Sequence, residues 1–158
     1  MLTYNRMTAV SYAHFWAFRR NPAYYNFDSI GGDCTNFASQ VLYTGSGVMD
    51  YRLVYGWFYR STNDRTASWT GVEYLYNYLV RSEETPGPVA VEVTEREVEP
   101  GDLIQLSFSG INYQHCPVVV ATGQEILVAA HSEDSDYRPL STYIYKTARY
   151  LHILGVNP

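Results

Sequence analysis

The chain has 158 residues, enough for one domain with a core of its own. Its formal net charge is −5, from 16 acidic and 11 basic residues, which argues against a nucleic-acid surface and its basic excess. Two cysteines, Cys34 and Cys116, are too few for a disulfide framework, and no apolar run reaches the roughly 18 residues of a membrane span. The N-terminus shows no charged-then-apolar signal segment, so the expected setting is either the cytoplasm or that of a mature or excised piece of a secreted protein. Lys146 is the single lysine, and 16 tyrosines can serve either half-wet packing or a stacking surface.

In chain order, Tyr4 to Arg20 reads as a helix, with Ala9, Val10, Ala13, Trp16 and Ala17 at three- and four-residue steps. Asn21-Pro22 stops it. An irregular stretch from Tyr24 leads to Gly31-Gly32, a backbone free of the usual steric limits. Asp33 is an N-cap candidate for a helix over Cys34 to Tyr43, with Phe37, Ala38, Val41 and Leu42 as its apolar stripe and Gly45 and Gly47 at its end. Asp50 to Ser68 reads as a long loop and Trp69 to Leu79 as a helix. Strands are predicted over Val89 to Val93, Asp102 to Ser107, His115 to Ala121, Ile126 to His131 and Ala148 to Val156, with a polar loop over Ser132 to Pro139. Helices followed by an antiparallel sheet make an α+β fold in a single domain over 1–158.

Cys34 would occupy the first turn of its helix, where unpaired N–H groups and the peptide dipoles favour a thiolate. Its spacing to Phe37 and Ala38 equally fits a small buried hydrophobe. His115 opens a strand after a loop, a suitable place for a base facing that helix end, while His14 and His152 lie within elements and read as structural. Whether His131 can orient His115 depends on register. A three-residue turn at Thr122-Gly123-Gln124 sets His115 opposite His131 on one face; a two-residue turn sets His131 beside Cys116 instead. The odd-length turn is the expectation. A Cys34–Cys116 disulfide would disable the thiol. A zinc site from Cys34, His115, Cys116 and His131 has suitable ligand types but would need adjacent strand residues to converge.

The runs Tyr24-Tyr25-Asn26-Phe27-Asp28 and Gly31-Gly32-Asp33-Cys34-Thr35-Asn36-Phe37-Ala38-Ser39-Gln40, with Tyr4-Asn5-Arg6, Trp69, Gly101-Asp102-Leu103-Ile104 and His131-Ser132, resemble the putative amidase domain family of bacterial cell-surface and spore-former proteins. That family is similar to the NlpC/P60 and CHAP cysteine peptidases and amidases. The resemblance implies a papain-like fold with the nucleophile helix on an antiparallel sheet. It implies Cys34 as nucleophile, His115 as base and His131 as the third polar residue, with Asp134 or Asp136 in that role by the CHAP pattern. Tyr24 or Tyr25 looks like the upstream tyrosine that supports the site, and Tyr25 is the one expected to touch substrate. With Asp33, Trp57 and Trp69 it completes the expected substrate contacts; the two tryptophans fit core packing equally. The expected chemistry is hydrolysis of an amide or peptide bond through a thioester, with peptidoglycan stem peptides as a candidate substrate. It needs no metal and no organic cofactor, and it takes no nucleic acid or membrane as partner. The alternatives are an acyltransferase on the same fold and a non-catalytic module that binds cell wall or carbohydrate.

Overall fold

The computed structural model describes residues 1–158. Helix α1 (Arg6–Trp16) begins where the Asn5 side chain accepts the Thr8 N–H at 3.0 Å, and it ends four residues short of Arg20. Its Ala9 and Ala13 are fully buried, so two small side chains let it lie close against α2 (Cys34–Ser46). Helix α2 closes at Gly47, whose φ of 69° lets its N–H return to the Tyr43 carbonyl at 2.7 Å. Gly45 stays inside the helix because the Tyr4 ring fills the place of a side chain there.

The segment expected as a loop holds a small ribbon, β1 (Tyr59–Ser61) with β2 (Asp64–Arg65), and an Asp50–Trp57 bridge. The helix expected over Trp69 to Leu79 is two pieces, α3 (Ala67–Thr70) and α4 (Val72–Leu79), because Gly71 takes an extended conformation between them.

The remaining elements are β3 (Gly87–Val93), β4 (Leu103–Ser107), β5 (Val118–Ala121), β6 (Leu127–Ala130), β7 (Ser135–Pro139) and β8 (Thr147–Asn157). They form one antiparallel sheet in the order β3-β8-β4-β5-β6-β7, so the last strand of the chain lies between β3 and β4. Strand β7 falls in the expected polar loop; it is an edge strand whose Ser-Asp-Tyr-Arg-Pro sequence carries no apolar alternation.

Alternation along the strands sorts the sheet into two faces. Leu103, Val118, Val120, Ala129, Leu151 and Ile153 join Ala9, Ala13, Phe37 and Val41 in the main core beneath the helices. Ile104, Leu106, Val119 and Val128 point the other way, into a smaller cluster with Val98 and Leu140.

Register decides where the histidines go. Val118 pairs with Ala129, Val119 with Val128, and Ala121 with Leu127, with an irregularity between Val119 and Ala121. The connection therefore spans residues 122–126, and the expected three-residue turn does not form. Continued past Val118, this register sets Cys116 opposite His131, both toward the helices. His115 bridges Leu106 and so lies on the outer face. The expected pairing of His115 with His131 is thus replaced by the other register.

Candidate functional site

Cys34 is the first residue of α2 and is half-buried. Its Sγ lies 3.7 Å from Thr35 Oγ1 and 3.9 Å from the Gln114 carbonyl oxygen, and the Thr35 and Cys116 N–H groups turn toward it. These donors favour the thiolate, but burial outweighs them and the neighbouring Asp33 charge opposes them. The thiol is pushed above its ordinary value, opposite to the expected direction.

Beside it runs a buried polar chain that begins at Asp33, only 1% exposed. Asp33 stands at the N-cap without capping the helix. Its Oδ1 accepts the Phe27 N–H and the Asn36 Nδ2 at 2.9 Å each, and its Oδ2 lies 2.6 Å from His131 Nδ1. Asn36 in turn donates to the Tyr25 carbonyl at 2.9 Å and accepts the Trp69 indole N–H at 3.0 Å. His131 Nε2 lies 2.8 Å from the Trp16 carbonyl, which only accepts, so Nε2 carries a proton. The ring is further held face to face with Phe37, centroids 4.1 Å apart.

His131 therefore has both nitrogens committed and does not orient His115, as had been expected. It ties the end of α1 to the start of α2 through the buried Asp33 carboxylate, which Arg20 Nε also approaches at 3.6 Å. The acidic alternatives are also engaged elsewhere: Asp134 with Arg20 at 2.9 Å, and Asp136 with His14 at 2.8 Å.

His115 lies 8% exposed on the outer face, at a cleft of about 390 Å³. Its ring sits near Phe108 and Tyr143, centroids 6.4 and 5.4 Å away. Burial, aided by the Arg138 guanidinium, pulls the imidazole down to about 4, so it is neutral at pH 7. The sheet separates this ring from Cys34, and no thiol–imidazole pair forms. The four residues considered for zinc do not converge either.

The expected substrate contacts divide in the same way. Trp57 and Trp69 are fully buried, 4.7 Å apart between ring centroids, with the Trp57 N–H on Ser39 Oγ at 3.1 Å. They are core, not cleft walls, and Asp33 is sealed within the polar chain. Tyr25 alone remains accessible, at 39%. Sequence reasoning missed the Asp33–Asn36–Trp69 chain, although Asp33 and Asn36 stand at the i, i+3 spacing that places two helix residues side by side.

No helix is long and apolar enough to cross a membrane. No solved structure matches the chain. It is 38% identical over 141 residues to an uncharacterized protein, YhbB, of Bacillus subtilis (strain 168), a match covering 85% of this chain and 43% of that relative. The chain thus spans less than half the length of that relative. The family described as putative amidase domain matches residues 3–154, nearly the whole chain, and the chain belongs to that family.

Proposed function

We propose that the chain hydrolyses an amide bond through a thioester on Cys34, with His115 as the base and a fold related to the papain-like cysteine peptidases. The observation that carries the reading is the position of the sulfur. It is half-buried on the first residue of a 13-residue helix, in a chain whose family is described as an amidase. Unpaired N–H groups of the first turn of α2 are positioned to receive an oxyanion.

For this chemistry the segment before β5 must shift. Sγ already touches the backbone on both sides of His115, at the Gln114 carbonyl and the Cys116 N–H. A one-residue slip of this segment against Leu106 exchanges faces and turns the imidazole toward the sulfur. The slip gives up the Leu106 N–H to His115 carbonyl bond of 2.9 Å and the Phe108 N–H to Gln114 Oε1 bond of 2.8 Å. Substrate contacts made only in the slipped register offset that loss. His115 then takes the proton of Cys34, the thiolate attacks the carbonyl, and the amine leaves with that proton. Water, activated by the same imidazole, releases the acid. The substrate of this reading is a peptide amide, with peptidoglycan stem peptides the first to assay.

A second reading, a non-catalytic binding module, is favoured by one observation: the resting thiol is raised and has no imidazole beside it. Turnover of stem peptides by the parent, Cys34→Ala and His115→Ala separates the two. The hydrolase reading expects both variants to lose at least 100-fold in rate while remaining folded. Full activity in Cys34→Ala removes the nucleophile. Activity lost in Cys34→Ala but kept in His115→Ala removes the base. Binding without turnover in all three proteins establishes the module.

A further inference from the structure

Both cysteines of the chain lie in one apolar cluster, on the same face of the sheet. Cys34 Sγ lies 3.9 Å from the Gln114 carbonyl oxygen, two residues before Cys116, and faces the Cys116 N–H. A disulfide needs two Cα atoms about 4.4–6.8 Å apart with Cβ atoms facing. The Cys34 sulfur beside the segment that leads into Cys116, with the Cys116 side chain directed into the same cluster, sets the two thiols on one side of the sheet as neighbours.

The two thiols differ in access. Cys34 is half-buried, whereas Cys116 is fully buried with Gln105 Nε2 3.6 Å from its sulfur. The amide donor at that distance stabilises a thiolate on Cys116, although burial pushes the thiol well above its ordinary value. An oxidant therefore meets Cys34 first.

We propose that Cys34 and Cys116 form a reversible intramolecular disulfide, with Cys34 the attacking and Cys116 the resolving thiol, driven by a small-molecule disulfide such as oxidised glutathione. The Cys34 thiolate attacks one sulfur of the glutathione disulfide, forming a protein–glutathione mixed disulfide and expelling one glutathione thiolate. The Cys116 thiolate then attacks the Cys34 sulfur, closing the protein disulfide and expelling the second. The two protein thiol protons end on the two glutathiones, so the protein loses two electrons and two protons and the oxidant gains them. Closure holds the segment before β5 in the register seen here, with His115 on the outer face. That this silences activity rests on the hydrolase reading; formation of the bond does not.

The test is intact mass and thiol titration after incubating the folded protein with oxidised glutathione. The parent is expected to lose two hydrogens, retain no titratable thiol when denatured, and recover both on reduction. Cys116→Ser is expected to stop at a stable glutathione adduct, and Cys34→Ser to stay unmodified. A parent that accumulates the same adduct as Cys116→Ser, or that keeps both thiols free, overturns the proposal. A parent that forms the bond yet shows no hydrolysis before or after reduction keeps the disulfide and removes only the hydrolase reading.

Discussion

The two faces of the sheet treat their histidines in opposite ways. On the helix side, His131 has each nitrogen held by an acceptor and its face against Phe37. On the outer side, His115 has aromatic neighbours, a nearby guanidinium and an adjoining cleft. The contrast separates structural from reactive roles by partner count. A ring that has spent both nitrogens supports the fold, while a neutral ring with free nitrogens remains able to take a proton.

The sharpest way to break this contrast is at Asp33. Asp33→Ala leaves the Phe27 N–H, Asn36 and His131 without their shared acceptor. We expect a loss of about 3–5 kcal/mol, read by urea unfolding, as for any buried pair broken on one side. A loss under about 1 kcal/mol would mean that the polar chain is not buried as described. The exposed Arg60–Asp64 pair gives the scale at the other end, and Asp64→Ala should cost no more than about 1 kcal/mol.

The outer face should reveal itself through pH. The folded protein holds His115 neutral, at about 4 against an ordinary value of 6.5. A group depressed in this way leaves stability intact above about 6.5 and withdraws it as pH falls toward about 4. The loss across that window is about 3 kcal/mol at about 1.36 kcal/mol per pH unit. His115→Gln should flatten that part of the stability–pH curve, whereas identical slopes in parent and variant would place the imidazole in water. A smaller effect, about 1–3 kcal/mol, is expected for Trp69→Phe, which keeps the ring packing but strips the indole donor from Asn36.

How much of this was legible differs by element. The α+β order, the start of α2 at Cys34 and the apolar, β-branched runs of β4, β5 and β8 follow from local residue pattern, which sequence displays directly. Strand β7 was hidden because an edge strand needs no buried face, and its Tyr137 takes a positive φ of 50° that residue identity does not announce. The break at Gly71 was visible only as a glycine within a helical pattern. The connection is odd-numbered as expected, five residues rather than three, and the faces of His115 and His131 turned on the irregularity after Val119, which composition does not specify. The polar chain of Asp33 was hidden for another reason: its partners come from Phe27, Asn36 and His131, brought together only by the fold. The tryptophans were ambiguous because a large aromatic ring suits a cleft wall and a core equally, and burial decided for the core.

The most direct measurement is the pH dependence of iodoacetamide alkylation of Cys34 in the folded, substrate-free protein, compared with His115→Ala. Fully buried Cys116 keeps the signal specific to Cys34. With thiol and imidazole on opposite faces, both proteins should label slowly and alike, with an apparent thiol pKa above the ordinary value of about 8.5. Fast labelling well below that value, present in the parent and lost in His115→Ala, would show the two side chains already paired and contradict the arrangement described.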